Sequence, residues 1–277
     1  MPTVIPQTTL PNGMKISCLR KDEVQLMYQE VQMYLKHGIK LGEGDTVFDV
    51  GANIGLFTLL VAQHCNQNVN IYAFEPIPAI FQVLNSNVQR LALKSIKVFP
   101  WGLSQESKNM TFAYYPKITL GSTAYPITSQ EELDKLKKMT LANFKNFPPA
   151  ISWLRWLPKS LFSLIIDRKF ATAFQAEQVI CQLKTVSQMM SEQNIQQIDL
   201  LKIDVEKSEM DVLLGIENQD WPKIKQVFIE VHDLDHRIQK ITALLQEQGF
   251  SEIKVEQEPI LQGSDIFSLY AWRSPEK

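Results

Sequence analysis

The 277 residues carry 28 Lys and Arg against 30 Asp and Glu, a net charge of −2, and 45% of them are hydrophobic. That size and apolar content suit one large globular domain, or one domain with an elaborated insert. The near-neutral balance leaves no basic field to recruit nucleic acid or an anionic membrane, and no apolar run reaches the length of a spanning helix.

Residues 7–19 read as a hairpin around Pro11-Asn12-Gly13, because Asn-Gly between alternating segments is a strong turn signal. A helix is predicted over about 23–37, with Val24, Met27, Tyr28, Val31 and Tyr34 on one face and Gly38 ending it. A strand at 46–50, a helix opening at Leu56, a strand at 69–74, a helix near 78–92 and a strand near 96–99 make a βαβαβ half. From Met110 to about Gln178 the βα order breaks. This insert, about 115–178, is expected to be a helical lid, since long insertions on such scaffolds tend to be functional. The sheet is expected to resume with Val179–Val186, then 198–204, a helix over 208–215, 226–232, a helix over 235–248, and terminal strands at 252–255 and 266–272. The expected organisation is an N-terminal hairpin and helix (1–44) completing the site of a core spanning 45–277. Three widely spaced cysteines, Cys18, Cys65 and Cys181, read as free thiols of a reducing compartment, and the N-terminus has no signal-peptide pattern. The expectation is a cytoplasmic protein.

The densest information lies at Asp49-Val50-Gly51-Ala52-Asn53-Ile54-Gly55, where an apolar strand runs into a Gly-x-Asn-x-Gly turn. Glycines there let a ligand approach the backbone closely. The next strand ends in Glu75-Pro76, placing a carboxylate where it can accept hydrogen bonds from both hydroxyls of a ribose. This spacing suits a dinucleotide or S-adenosylmethionine. The turn lacks the third glycine of a pyrophosphate-binding loop, which favours the second. Asp49 is read as holding the turn or meeting a cationic amino-acid moiety. The turn Trp101-Gly102-Leu103-Ser104 is read either as contacting an adenine edge through Gly102 and Ser104 or as an ordinary turn.

Two further strand ends carry charge. Lys202 and Asp204 share one face of their strand, and Glu230 and His232 share one face of theirs, at the carboxyl ends where an open α/β sheet builds its crevice. Buried charges are costly unless paired or bound, so this concentration argues for a site. His232, Asp204, Lys202 and Glu230 are the candidate catalytic residues, and three readings stand: a neutral His232 as general base, a divalent cation such as Mg²⁺ on Asp204, Glu230 and His232, or a structural ion-pair network. His37, His64 and His236 are weaker candidates.

These segments resemble the FkbM family of S-adenosylmethionine-dependent methyltransferases. The resemblance rests on Val47–Gly55, Phe74-Glu75-Pro76, Trp101–Ser104 and Ile198–Glu206, the last continuing through Met210–Gly215. It implies a Rossmann-like class I methyltransferase fold, a seven-stranded, mostly parallel sheet with helices on both faces, and O-methylation as the common activity. By the same resemblance Gly51, Asn53 and Gly55 cradle the methionine part, Glu75 holds the ribose and Asp204 lies beside the transferring methyl. The family usually has glycine after the glutamate of the fourth-strand motif; this chain has Lys207. The chain is also similar to methyltransferase domains of modular polyketide and nonribosomal peptide synthases. The insert mixes Trp153, Trp156, Leu157 and Phe162 with Arg155, Lys159, Arg168 and Lys169, which suits an apolar acceptor and an acidic acyl carrier protein. The expected substrate is a hydroxylated acyl or peptidyl chain. A free sugar or small molecule, a dinucleotide enzyme and a non-catalytic nucleoside-binding domain are the alternatives.

Overall fold

The computed structural model describes residues 5–126, 172, 174–258 and 261–274. Most of the expected lid, with its aromatic and basic residues, lies outside the described residues. Within that insert the charged run at 130–145 reads as helical and Pro148-Pro149 as a breaker, and both also lie outside the described residues.

The N-terminal hairpin is present as β1 (Gln7–Thr9) and β2 (Lys15–Ser17), antiparallel. It is tied to the body by Asn87, whose side chain accepts from the Ser17 N–H at 2.7 Å and donates to the Ser17 carbonyl at 2.9 Å. Helix α1 (Lys21–Val31) is shorter than its apolar periodicity predicts. After Val31 the chain tightens: the Met33 and Tyr34 N–H groups reach back only three residues, to the Glu30 and Val31 carbonyls. This turn, and not Gly38, ends the helix, and it swings the Tyr34 ring onto Phe228.

The core sheet contains β3 (Thr46–Val50), β4 (Asn70–Phe74), β5 (Ile96–Phe99), β9 (Leu200–Ile203), β10 (Gln226–His232), β11 (Glu252–Glu256) and β12 (Ile266–Trp272). Its order is β11-β12-β10-β9-β3-β4-β5, and only β12 runs against the rest. This is the Rossmann-like class I methyltransferase sheet that the sequence motifs imply. The order reverses at β3 and β9, where a doubly wound sheet opens its crevice.

Alternation along the strands sorts the apolar residues into two layers. Val47, Ile71, Ala73, Leu200 and Phe228 pack with Val24 and Met27 of α1, with α2 (Leu56–His64) and with α3 (Pro78–Gln89). Phe48, Val50, Phe74, Leu201, Ile203 and Ile229 pack on the other face, with α4 (Val186–Glu192), α5 (Glu209–Leu214) and α6 (Arg237–Glu247). Near-continuous apolar strands follow from burial on both faces. Local chemistry sets the helix starts: Thr185 accepts the Gln188 N–H at 3.0 Å to cap α4, and Pro78 opens α3.

One strand sits elsewhere than expected. Residues 177–184 form β8 (Glu177–Lys184), which belongs not to the core but to a separate three-stranded sheet, β6-β8-β7, with β6 (Gly102–Leu103) and β7 (Lys108–Tyr114). Its alternating exposed residues, Ile180 among them at 74% exposure, match a strand with one open face. The Trp101–Ser104 turn is therefore partly strand, and it joins this small sheet to the end of β5. No helix among the described residues is long and apolar enough to cross a membrane.

Candidate active site

The β3–α2 turn is built on Gly51. Its φ is +75°, and a Cβ there would lie 1.8 Å from the Asp204 carbonyl oxygen. The Gly51 and Ala52 N–H groups both donate to the Phe74 carbonyl, at 3.1 and 2.9 Å. Gly55, at φ +89°, lies where a Cβ would meet Leu84 Cδ1 of α3 at 2.7 Å. The first demand for glycine is thus internal, from β9 and α3, and not from a ligand as the sequence reading supposed.

Beneath the turn lies an ion pair. Asp49 and Lys202 are register partners on β3 and β9, and their charges meet at 3.1 Å with 0% and 2% side-chain exposure. Lys202 Nζ also donates to the Gly51 carbonyl at 2.8 Å, and Asp49 accepts from the Thr58 hydroxyl at 2.6 Å. Burial pulls the Lys202 ammonium down, but Asp49 and Asp204 outweigh it and hold its pKa above the usual value. Neither Asp49 nor Lys202 reaches a cavity wall. The arrangement corrects the reading of Lys202 as a reacting group: its donors are committed to the turn.

Above the turn, a cavity of about 800 Å³ runs along the carboxyl edge of the sheet. Gly51, Asn53, Glu75, Pro76, Gly102 and Ser104 line one part of it. Glu75 is 5% exposed, and its two oxygens are aimed by the Asn53 N–H at 3.1 Å and the Ile77 N–H at 2.9 Å. Burial pushes its carboxyl up to about 7 against the pull of those two N–H groups. Ile77, Leu103 and Leu183 add an apolar wall. Gly55, by contrast, does not line the cavity.

Asp204 and Glu230 line the same cavity, joined by Glu30 and Tyr34 of the N-terminal segment. Tyr34 donates to Asp204 Oδ2 at 3.0 Å. Oxygens of Asp204, Glu206 and Glu230 lie within 4.8 Å of one another. Glu30 and Glu230 line this part of the cavity together, and their carboxyls interact. Burial, with the charges of Asp204 and Glu206, pushes the Glu30 carboxyl up to about 8 and holds Glu230 well above the usual carboxylate range. Neighbouring carboxyls in one buried site disfavour each other's ionised form.

His232 does not join them. Its Nδ1 lies 2.8 Å from Glu209 Oε1 and its Nε2 3.3 Å from Glu206 Oε2, and it is 5% exposed. Burial favours the neutral ring, but the two carboxylates prevail and hold its pKa well above the usual histidine value. Glu209, fully buried, also takes Arg237 Nη1. An imidazolium with both nitrogens facing carboxylates has no lone pair for a substrate proton. This corrects both the reading of His232 as a neutral base and its place in a metal set; the acidic group that remains is Asp204, Glu206 and Glu230. Of the weaker histidines, His37 meets Glu256 at 2.7 Å and His236 precedes α6.

Glu30 and Tyr34 are cavity residues that the sequence reading missed: it placed Tyr34 on an apolar helix face and did not single out Glu30. The available signal was spacing: residues 27, 30 and 34 fall on one helical stripe, and a carboxylate within it is out of place unless it has a task.

The cavity suits S-adenosylmethionine on its own chemistry. It offers a buried carboxylate at the tip of β4, an apolar wall beside it, and a second acidic region beyond the turn.

Over residues 49–252 the chain matches the methyltransferase FkbM domain family. It is 35% identical over 278 aligned residues to the 31-O-demethyl-FK506 methyltransferase FkbM of Streptomyces tacrolimicus, covering 99% of each chain. It is 34% identical over 276 residues to the AMB antimetabolite synthetase AmbE of Pseudomonas aeruginosa, where 96% of this chain corresponds to 12% of the larger protein. Methyltransferase sdnD of Sordaria araneosa is 28% identical over 258 residues, 90% of each chain. With the glycine turn, the Glu75 strand tip and the reversed sheet order in place, the chain belongs to the FkbM family of methyltransferases.

Proposed function

We propose that the protein methylates a hydroxyl of a natural-product intermediate, an acyl or peptidyl chain presented on an acyl carrier protein. The observation that carries this reading is the single cavity joining Glu75 to the carboxyl cluster of Asp204, Glu30 and Glu230. S-adenosylmethionine, when bound, supplies an electrophilic methyl on a sulfonium. Glu75, with each oxygen already aimed by one backbone N–H, keeps lone pairs for the ribose hydroxyls. Pro76, Gly102 and Ser104 lie beside it to receive the base, and Gly51 and Asn53 present backbone to the methionine part. Lys202 and Asp49 hold the turn from below. His232 is sealed, so the acceptor proton passes to the carboxyl cluster.

The carrier-bound reading is supported by the synthetase relative, in which the matched region is a small part of a much longer protein. Cys18, Cys65 and Cys181, all buried and free, fit a cytoplasmic setting. A second reading, a divalent cation on Asp204, Glu206 and Glu230, draws on the convergence of their oxygens. The test is a mass-spectrometric screen for the gain of one methylene on β-hydroxyacyl and α-hydroxyacyl chains, each carrier-bound and free, with Mg²⁺ and with a chelator. Transfer confined to the carrier-bound chains is expected. Equal turnover of free acceptors would replace the carrier with a free small molecule or sugar, and loss of activity on chelation would favour the cation.

A further inference from the structure

Both anchors of Asp204 converge on one oxygen. The Tyr34 hydroxyl donates to Oδ2 at 3.0 Å, and Lys202 Nζ lies 3.5 Å from the same atom. Lys202 belongs to the framework of the turn. Tyr34 comes from elsewhere: it follows α1, upstream of the family-matched region, and is 2% exposed. Its ring stacks on Phe228 with centroids 4.2 Å apart and planes at 25°, and it tilts against Phe57 at 5.6 Å. A ring clamped in this way aims its hydroxyl at a single point. Among the described residues no hydrogen bond reaches Asp204 Oδ1, and the Asp204 side chain is 21% exposed in the cavity wall.

We propose that Tyr34 is a positioning residue for methyl transfer: by holding Oδ2 it keeps Oδ1 turned to the cavity, opposite the charged centre of the methyl donor. The inference rests on S-adenosylmethionine being that donor. It makes the N-terminal segment part of the reacting site, because the turn after α1 decides where the Asp204 charge points. A fixed carboxylate gains more from a cation than one that must reorganise.

The test needs no acceptor. S-adenosylhomocysteine lacks the transferred methyl and its charge; sinefungin carries an amine there. Calorimetry with both ligands would be run on the wild type, Tyr34→Phe, Asp204→Asn and the double variant. The wild type is expected to prefer sinefungin. Tyr34→Phe, which keeps the ring stack, should lower that preference about tenfold, the worth of one charged hydrogen bond. Its affinity for S-adenosylhomocysteine and its thermal midpoint should hold. Asp204→Asn should lower the preference at least as far, and the double variant no further. An unchanged preference in Tyr34→Phe, or losses that multiply in the double variant, overturns the assignment. So does an equal loss for both ligands together with a lower thermal midpoint. A wild type that binds neither ligand overturns the donor reading itself, and this one with it.

Discussion

A Cβ atom on Gly51 would lie 1.8 Å from the Asp204 carbonyl oxygen and 2.8 Å from its carbonyl carbon. Both are backbone atoms at the end of β9, so no side-chain rotation relieves the clash, and φ at Gly51 is +75°. Gly51→Ala is therefore expected to cost about 3–5 kcal/mol through strain and displacement of the β9 tip. Because Lys202 holds the Gly51 carbonyl and Asp204 lies two residues further on, cofactor affinity should fall with stability. Denaturant unfolding and calorimetry on one preparation check this; a variant of wild-type stability would show that the two strand ends can part freely.

The Glu75 carboxyl makes cofactor binding depend on pH. Its pKa in the folded protein is raised from 4.5 to about 7, burial being the main cause. A raised carboxyl contributes stability that is fully present below about 4.5 and is lost as pH rises through about 7. The apo protein should thus lose up to roughly 3 kcal/mol of stability across that window. Ribose hydroxyls donate to the ionised form, so affinity for S-adenosylhomocysteine should rise as pH climbs from about 6 to 8. Glu75→Gln should bind more weakly and lose the pH dependence. A pH-independent wild type would remove Glu75 from the ribose.

His232 should behave as a fixed cation. Glu206 and Glu209 face its two nitrogens and hold its pKa well above the usual value. The stability it contributes is fully present below about 6.5 and is lost only as pH rises through the higher folded value. Its ring resonances should therefore titrate only well above the ordinary histidine range, because Glu206 and Glu209 hold the protonated form. His232→Phe should destabilise the fold by about 1–3 kcal/mol, since buried Glu209 loses one charged partner and keeps Arg237 and the Lys207 N–H. A ring that titrates near its ordinary value would restore His232 as a candidate base.

These residues show where the sequence was legible. The glycine turn, Glu75 and Asp204 stand at strand ends that apolar runs make conspicuous, and the order of strands and helices carries them to one edge of the sheet. His232 stood in the same pattern, but its chemistry is decided by Glu209, which is 23 residues away along the chain and brought beneath it by α5. Lys202 looked reactive because its register partnership with Asp49 exists only once β3 and β9 pair. Tyr34 and Glu30 were hidden by the helical stripe that contains them. Strand 177–184 alternates like any half-exposed strand, and nothing in that alternation says which sheet it joins.

Lys207 carries the departure from the family pattern, and the backbone shows its cost. Glu206 and Lys207 have φ of 49° and 78°, in the left-handed region that favours glycine. The loop is pinned there: Thr123 Oγ1 donates to the Glu206 carbonyl at 2.6 Å, Arg237 Nη1 to the Lys207 carbonyl at 2.8 Å, and the Lys207 N–H to Glu209 Oε1 at 2.8 Å. All three bonds use backbone atoms at 206 and 207, so a glycine at 207 would keep each of them. Relief of the left-handed strain, about 1–2 kcal/mol, is partly offset by the extra freedom glycine gives the unfolded chain. Lys207→Ala removes the side chain and keeps the strain, so Lys207→Gly is expected to be about 0.5–1 kcal/mol more stable than Lys207→Ala, read as a higher denaturant midpoint with unchanged slope. A midpoint no higher than that of Lys207→Ala would mean that the 206–207 loop holds the left-handed conformation without strain.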